Sequence, residues 1–579
     1  MQLDFHYHQQ VIALRLERSL GRLRMVRDHA VRGIAKHWRA LSLVILFAVF
    51  ELRINDCNVC GLLYPRWVPR ILALLASAGI ALAIAISLAW TKREPILLCA
   101  DRVWNQVSRN FVLYVSCTAG AALAMSLLVA TLILRTFPNS GDEFAYLFQA
   151  ETYLHGRVWN SPPPIPYIFT PAHVIETPDV WVGKYTPGWP MLISFLSIVG
   201  LEPWMINPIL NSLTVILLAW LGREVQDRFT GILAAAIYAF TAFSVFNGAS
   251  FFNHQFTATC GVAFALLAVK FFKMPRLLTA IGSGAALGLI GLIRPQAAVL
   301  FALPFLIKVL SARNRWLTIQ ATIGLALGVI PFAIILLAYD RAVTGNPLVM
   351  PQMLYDGTAV WRISFHSIAR SAGYLVELAE WTSAPLLAIY VVSYGYLAIR
   401  KRLNFVDYLL PLFLLAFTLF ADPGNRYGPR YVFDVYPFFA LTCATGLTLL
   451  HKVWHERHPV VAASAALFCV FSILSATARM PVVAVAFHRI VSERMDLYDL
   501  VDETKLNNAI VLVTNGVGVR YGMRSPDLYR NWPDLHQPVL YVDGHKALVE
   551  RLKSSFPGRT IWTYTRDDQS SVGKLTRID

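Results

Sequence analysis

The stretch FVLYVSCTAGAALAMSLLVATLIL (residues 111–134) is followed closely by GDEFAYLFQA (residues 141–150). The first is apolar throughout and long enough to cross a bilayer as a helix, which takes about 20 residues. The second begins with two carboxylates, Asp142 and Glu143, at the mouth of this predicted span. Charge is costly at that depth unless it performs a function, so the pair is the first candidate for chemistry.

Composition indicates a polytopic membrane protein. Of the 579 residues, 56% are hydrophobic and only 15% are charged, and the mean hydropathy is +0.51. A soluble globular chain carries fewer apolar and more charged residues. We therefore predict an all-α polytopic membrane protein with about 13 transmembrane helices. The predicted spans are 41–54, 71–90, 111–135, 203–222, 229–247, 255–272, 278–293, 296–310, 316–339, 382–399, 406–421, 431–450 and 459–478.

The positions of Lys and Arg predict the orientation, because short loops rich in these residues stay in the cytoplasm. A basic N-terminal segment, residues 1–40, places the N-terminus inside, and the basic loops further along agree. The long loop at about residues 136–202, named here the 136–202 loop, then lies outside with its acidic pair. We predict a multi-pass membrane domain over 41–478 and an extracytoplasmic domain over 479–579.

The net charge of +16 does not indicate a nucleic-acid partner. Most of the excess lies in predicted cytoplasmic loops and in the N-terminal segment, where a basic face meets the anionic inner leaflet of the lipid bilayer. The seven cysteines do not form a disulfide framework, since most lie in or beside predicted spans. Cys57 and Cys60 form a CxxC pair on a predicted outer loop. These two cysteines either have no special role or form a local disulfide.

The chain changes character after Met480. Short apolar runs at 509–513, 539–542 and 560–564 alternate with polar turns and with a helix predicted over 546–554. The order strand, strand, helix, strand is typical of a small α/β domain. About a hundred residues suffice for one core, so the predicted fold class includes a small C-terminal extracytoplasmic α/β domain.

Two interpretations of Asp142 and Glu143 follow from the residues alone. Residues 145–154 have the apolar spacing of a helix, and carboxylates near a helix N-terminus are favourable, so the pair is a cap in one interpretation. In the other it is catalytic. A proline-rich return with Trp and Tyr, residues 181–190, then leads the chain back to the bilayer.

This arrangement resembles the GT-C class of integral-membrane glycosyltransferases, near the protein O-mannosyltransferases and the lipid A aminoarabinose transferases. An acidic motif in the first large outer loop, GDE at 141–143, precedes an aromatic helix, and KYTPG at 184–188 is similar to the family's Lys-Tyr-x-Pro return. LGLIGLIRPQ at 287–296 and GPRY at 428–431 resemble two later motifs. The resemblance covers roughly residues 110 to 480.

The resemblance implies transfer of a sugar from a polyprenyl-phosphate carrier to a hydroxyl of a lipid, glycan or protein acceptor, with inversion, at a bacterial cytoplasmic membrane. Asp142 matches the family's catalytic Asp, and a carboxylate in reach of the hydroxyl can take its proton. Cations must also stabilise the phosphate as it gains charge. The expected phosphate ligands are Arg294, Arg430, Lys184 and Arg426, for which snorkelling to the headgroups is the alternative. The expected substrate-lining residues are Tyr146, Tyr185, His254 and Tyr431.

Three of these residues have further alternatives. Glu143 is expected to orient the acceptor, to share a divalent cation with Asp142, or only to cap the helix; one carboxylate pair does not define a metal, because hard cations prefer several oxygen ligands. For His254, a hydrogen-bonded interfacial role is the alternative to catalysis. Asp434 follows Arg430 by four residues, and an i, i+4 pair would hold that arginine in place.

Two other functions would use the same outer charges. A transporter or flippase of lipid-linked glycans also needs a second, inward-facing set of buried ionisable groups or an inverted repeat, and the sequence has neither. A ligase or polymerase of lipid-linked polysaccharide would use a large, arginine-rich late loop. The corresponding loop, 340–381, is smaller, and the acidic motif comes early.

Overall fold

The computed structural model describes residues 67–357, 365–417, 426–514, 529–544, 549–566 and 573–579. The predicted N-terminal segment 1–40, the first predicted span 41–54 and the CxxC pair lie outside the described residues.

The described chain is mostly helical. Its helices are α1 (Trp67–Arg109), α2 (Phe111–Leu128), α3 (Gly141–Leu154), α4 (Gly188–Ile198), α5 (Pro203–Val225), α6 (Arg228–Ala239), α7 (Ala242–Asn247), α8 (His254–Lys273), α9 (Leu277–Ile293), α10 (Pro295–Leu310), α11 (Arg315–Thr344), α12 (Pro351–Asp356), α13 (Phe365–Trp381), α14 (Ala384–Ile399), α15 (Leu409–Phe417), α16 (Arg430–Phe433), α17 (Tyr436–Trp454), α18 (Pro459–Ala478), α19 (Met480–Glu503) and α20 (Val549–Ser555). A π-helical turn, Val129–Ile133, continues α2, and a 3₁₀ turn, Phe405–Tyr408, precedes α15.

Six of the described helices are long and apolar enough to cross a membrane, counting α18 and α19 as one. Together α13 and α14, bent by 117° at their junction, would form a seventh, and five shorter apolar helices lie among them. The protein is therefore a multi-pass membrane protein. The finer prediction of about 13 spans stays a prediction.

Two predicted spans are each divided into two helices. The span expected at 229–247 forms α6 and α7, because the Thr241 side chain caps a new helix by accepting a hydrogen bond from the Ser244 amide. The span expected at 431–450 forms α16 and α17, with Pro437 in the first turn of α17. Proline starts a helix readily but does not continue one. The hydropathy pattern did not predict either break, because the residues on the two sides of each break are equally apolar.

Close packing of α9 against α11 fixes the end of α9, which leads into Arg294. A Cβ at Gly328 would lie 2.3 Å from the Ile281 carbonyl oxygen, and one at Gly284 would lie 2.5 Å from the Leu325 oxygen. Glycine therefore lets the two backbones approach as small residues do between membrane helices.

Two short antiparallel strands, β1 (Val174–Glu176) and β2 (Trp181–Gly183), lie in the 136–202 loop. The C-terminal region contains a mixed sheet of β3 (Ala509–Thr514), β4 (Val539–Asp543), β5 (Thr560–Thr565) and β6 (Lys574–Arg577). The four strands lie in the order β4-β3-β5-β6. β3 pairs in parallel with β4 and β5, and β5 pairs antiparallel with β6. The strands β3, β4 and β5 lie where the sequence predicted them, whereas the short edge strand β6 was not predicted.

Both faces of this sheet are covered by other parts of the chain. Val511 and Tyr541 belong to the main core with residues of α19, and Ile510 and Leu540 pack in a second core with Phe169 of the 136–202 loop. The loop also joins the sheet directly, since the Asp543 amide donates to the Ile168 carbonyl over 2.9 Å. The 136–202 loop and the sheet therefore share a core. The predicted domain boundary at 479 falls at the joint between α18 and α19 and stays a prediction.

Candidate active site

Asp142 lies in the first turn of α3, on a turn that distant residues hold in place. Ser140 is the N-cap, and its Oγ accepts a hydrogen bond from the Glu143 amide over 3.3 Å. The guanidinium of Arg494, on α19, donates to the carbonyl oxygen of Asn139 and to its Oδ1, the latter over 2.6 Å. The start of α3 is thus anchored to α19, and this contact supports the turn that carries Asp142.

Three side chains converge on the Asp142 carboxylate. The Tyr185 hydroxyl donates to Oδ1, Arg430 Nη1 donates to Oδ2 over 3.2 Å, and His173 Nε2 lies 3.9 Å from Oδ2. Burial alone would raise the pKa of Asp142, but the charges of Arg430 and His173 and the Tyr185 hydrogen bond outweigh it and lower that pKa well below its usual range. Asp142 is therefore ionised and ready to accept a hydrogen bond.

Glu143 faces a different set of groups. One oxygen accepts from the Phe251 amide over 2.8 Å, and the other accepts from the Asn139 amide over 2.6 Å and from the Ser140 hydroxyl. Its side chain is fully buried, which raises its pKa to about 7 although these hydrogen bonds partly oppose the shift. This placement ties the start of α3 to the turn before α8. The structure does not bring Glu143 into the cluster around Asp142.

The two neighbouring carboxylates do not fit a shared divalent cation. Asp142 meets Arg430 and His173, whereas Glu143 meets backbone amides and a hydroxyl. A hard cation prefers several oxygen ligands around one position. The positive charge next to Asp142 comes from Arg430 and His173.

A titration should reveal the burial of Glu143. Its pKa is about 7 in the folded protein and the ordinary value is 4.5, so between these values the folded state holds a proton that the unfolded state has lost. Stability therefore falls as the pH rises through this range. Between about pH 5.5 and about pH 8 we expect wild type to lose about 2 kcal/mol that Glu143→Gln does not lose. Unfolding in detergent micelles at several pH values measures this, and parallel curves for both proteins would contradict it.

A second cluster lies beside the first and is buried. Arg294 Nη1 lies 2.9 Å from Asp434 Oδ2, and His254 Nδ1 lies 2.8 Å from Asp434 Oδ1. Arg294 Nη1 also contacts His254. The sequence-based expectation that Asp434 holds Arg430 is wrong. Arg430 pairs with Asp142, whereas the Asp434 carboxylate lies against Arg294 and His254, which occupy it instead.

Tyr431 connects the two clusters. The guanidinium carbons of Arg430 and Arg294 lie 5.3 Å and 5.2 Å from the centre of its ring, within the range of a cation–π interaction. Tyr146 stacks obliquely on Tyr185, with ring centres 4.5 Å apart. Asp142, Arg430, Arg294 and the predicted lining residues Tyr146, Tyr185, His254 and Tyr431 therefore form one continuous group.

The other two predicted phosphate ligands, Lys184 and Arg426, have acidic neighbours of their own, and the charge of Lys184 also helps to lower the pKa of Asp142. Lys184 Nζ lies 3.0 Å from Asp356 Oδ1 on α12 and 4.5 Å from the centre of the Tyr355 ring. Its charge is therefore compensated by the Asp356 carboxylate. Arg426 lies close enough to Glu143 for its charge to lower the pKa of that group.

The return segment of the 136–202 loop docks on the end of α9. The Thr186 hydroxyl donates to the Ile293 carbonyl over 2.5 Å, and a Cβ at Gly188 would lie 2.8 Å from the carbonyl carbon and oxygen of Leu292. The return segment and the end of α9 thus touch through backbone atoms, so no flexible side chain can move aside to make room for a larger residue at Gly188. This contact holds Tyr185 beside Asp142 and near Arg294.

Gly188→Ala is therefore expected to destabilise the protein by about 1–3 kcal/mol, because the new methyl group must push the two segments apart. Thermal unfolding in detergent measures the loss. Gly291→Ala is the matched control, since a Cβ at Gly291, also in α9, would meet only the Ala298 Cβ at 3.8 Å. Equal melting temperatures for the two variants would contradict the close contact.

A cavity of about 380 Å³ lies on another side of α3. Phe144, Trp204, Trp532 and Arg530 line it. The Arg530 guanidinium also lies 4.1 Å from the centre of the Phe137 ring. The cavity joins the 136–202 loop, the start of α5 and the segment before β4, and it is lined by aromatic rings.

The sequence did not predict His173 or Arg494. His173 lies in an irregular part of the 136–202 loop with a φ of 63°, just before the hairpin of β1 (Val174–Glu176) and β2 (Trp181–Gly183). The one feature of the sequence that could have linked His173 to the site is its position in the same loop as Asp142. Arg494 is separated from Asn139 by 355 positions, and no local sequence pattern predicts a contact over such a separation.

No protein-family model matches the chain, and no curated protein does. Among solved structures, it is similar to ArnT from Cupriavidus metallidurans in the apo state, with 14% identity and a TM-score of 0.50 over 79% of this chain and 97% of that one. The same protein bound to undecaprenyl phosphate matches with 15% identity, a TM-score of 0.50 and the same coverage. ArnT is a lipid A aminoarabinose transferase and a GT-C glycosyltransferase. The resemblance predicted from the sequence is therefore confirmed as a likeness of fold.

Proposed function

We propose that the protein is a GT-C-type membrane glycosyltransferase that moves a sugar from a polyprenyl-phosphate carrier to an acceptor hydroxyl, with inversion at the anomeric carbon. The placement of Asp142 carries this proposal. Its ionised carboxylate contacts Arg430, and a second buried arginine, Arg294, lies on the same Tyr431 ring. A base beside two cations suits a reaction that removes a proton and releases a phosphate. The likeness to ArnT, seen also with undecaprenyl phosphate bound, supports the same assignment.

The proposed step is a single displacement. Asp142 takes the proton of the acceptor hydroxyl as its oxygen forms a bond to the anomeric carbon, while the bond from that carbon to the carrier phosphate breaks. The electron pair of the broken bond stays on the phosphate oxygen. Arg430 and Arg294 stabilise that charge; every described contact of Arg294 with Asp434 and His254 uses Nη1, which leaves Nη2 to bind the phosphate.

Arg430 couples donor binding to the strength of the base. Its positive charge is the largest of the influences that lower the pKa of Asp142. A phosphate bound to Arg430 would compensate that charge and let the pKa of Asp142 rise toward the working pH, where a general base is most effective. The carboxylate thus becomes a better base when the donor is in place.

The proposed location is a bacterial cytoplasmic membrane with the N-terminus inside. The 136–202 loop and the domain at 479–579 lie outside, where the acceptor lipid, glycan or protein is found. The charge pattern of the loops supports this orientation.

Transfer of labelled sugar tests the proposal. Membranes that contain the protein are given a panel of polyprenyl-phosphate sugars, and label in lipid, glycan and protein fractions is measured against membranes without it. Label in one fraction from one donor supports the enzyme and identifies both substrates. Movement of labelled carrier across the bilayer without release of polyprenyl phosphate would overturn the proposal in favour of a flippase.

A further inference from the structure

Two helices meet far from Asp142 with three potential metal ligands. Asp101 lies on α1, His451 lies in the last turn of α17, and His455 is the C-cap of that helix. Residues four apart on a helix lie on the same face, so both imidazoles point toward one carboxylate. Since α17 begins close to Arg430 and is about 28 Å long, this group lies at its opposite end.

The ligand atoms have the separations that a small metal ion requires. His451 Nε2 lies 3.3 Å from Asp101 Oδ1, and His455 Nε2 lies 3.6 Å from Asp101 Oδ2. All three ligand atoms lie within 4.8 Å of one another. Tetrahedral zinc binds imidazole nitrogen and carboxylate oxygen at about 2.0–2.2 Å, which separates neighbouring ligands by about 3.3–3.5 Å. The imidazoles would need to move together until all the ligand atoms reach these separations, and side-chain rotation suffices for a shift of about 1 Å.

The surroundings orient the ligands and leave the ion a way in. Trp104, on α1, stacks on His451 with ring centres 5.7 Å apart, which fixes that ring against α1. The neighbouring Lys452 ammonium does not compete for Asp101, because it lies 2.6 Å from Asp227 Oδ2. The side chains of His451, His455 and Asp101 are 17%, 30% and 40% exposed, so water and ions reach the group.

We propose that Asp101, His451 and His455 bind a divalent transition-metal ion of the zinc class. Neutral imidazoles and an ionised carboxylate are ligands that suit such an ion. Three protein ligands leave a fourth position for water. The ion would connect α1 to α17 at the end of the bundle away from Asp142, so its role is to hold the two helices together and not to take part in sugar transfer.

Metal titration of the full chain in detergent micelles tests the site. Protein stripped with EDTA is titrated with Co²⁺, whose visible absorption reports tetrahedral coordination, and Zn²⁺ is then added to displace it. We expect one equivalent to bind wild type. Asp101→Asn and His455→Gln should each weaken metal binding by more than about 100-fold. Loss of a group that only hydrogen-bonds to a metal ligand already lowers metal affinity by about 10–100-fold, and these changes alter the ligands themselves.

His458→Gln is the matched control, since His458 is exposed, follows the same helix and is not one of the three ligands. It should bind Co²⁺ as wild type does, and Zn²⁺ should raise the melting temperature of wild type and of this control but not of the ligand variants. Equal melting temperatures without metal show that the variants fold. The proposal fails if Asp101→Asn binds like wild type, or if a thiolate charge-transfer band shows that cysteines hold the ion.

Discussion

Replacing Asp142 by Asn is expected to slow sugar transfer by about 10²–10⁴-fold, the usual contribution of a general base. Asparagine has nearly the same size, and its carbonyl can still accept the hydrogen bond that the Tyr185 hydroxyl donates to Oδ1. It cannot take the proton of the acceptor hydroxyl. The loss should therefore appear mainly in kcat, because Arg430 and its charge are retained, and transfer from the donor identified in membranes measures it.

Asp179→Asn provides the control for this experiment. Asp179 is an exposed carboxylate in the same 136–202 loop, so this change removes the same charge without touching the cluster around Asp142. Both variants should elute as wild type does on size exclusion, which shows that they fold, although Asp142→Asn should melt at a lower temperature because Arg430 loses a partly buried counter-ion. Transfer by Asp142→Asn at more than about a tenth of the wild-type rate would show that another group is the base.

Replacing Asp434 by Asn is expected to produce the largest loss of stability, about 3–5 kcal/mol. The Arg294 and Asp434 side chains are only 5% and 0% exposed, and their charged atoms lie 2.9 Å apart. Removal of the carboxylate charge leaves the guanidinium buried without its counter-ion, which is far more costly than loss of an exposed pair. Denaturant titration in mixed micelles measures the change in the free energy of unfolding.

Two further variants show whether the loss arises from leaving a buried charge without its partner. Asp499→Asn breaks the pair with Arg135, whose side chains are 35% and 37% exposed, and should cost at most about 1 kcal/mol. The double variant Arg294→Gln/Asp434→Asn removes both buried charges and should be more stable than Asp434→Asn alone. If Asp434→Asn costs no more than Asp499→Asn, the pair is not shielded from water as the structure places it.

Some features could be predicted from the sequence because they depend on neighbouring residues. Apolar run length located the long helices, alternating apolar runs located β3, β4 and β5, and the motif around Asp142 located α3. The predicted helix began at 145 whereas α3 begins at Gly141, since the cap is Ser140 and both acidic residues lie inside the first turn. Capping and chemistry thus turn out to be compatible interpretations of the acidic pair. Ser140 is the N-cap, and Asp142 remains available to Arg430 and Tyr185.

Other features depend on contacts that no local pattern encodes. Arg294 and Asp434 are separated by 140 positions, and sequence spacing alone favoured the nearer Arg430 as the partner of Asp434. Lys184 pairs with Asp356, 172 positions away, while its charge also helps to lower the pKa of Asp142. In both cases tertiary packing decides which opposite charges meet, because several candidates of each sign lie near the same ends of the helices.

The anchoring of Asn139 by Arg494 has a consequence for the order in which the site is assembled. A chain is synthesised from its N-terminus, so the turn that carries Asp142 leaves the ribosome long before the arginine that holds it, 355 positions later. Arg430 arrives 288 positions after Asp142. The nascent protein therefore carries an unassembled site through most of its insertion into the membrane. The turn that carries Asp142 therefore gains its last support only when α19 has been synthesised.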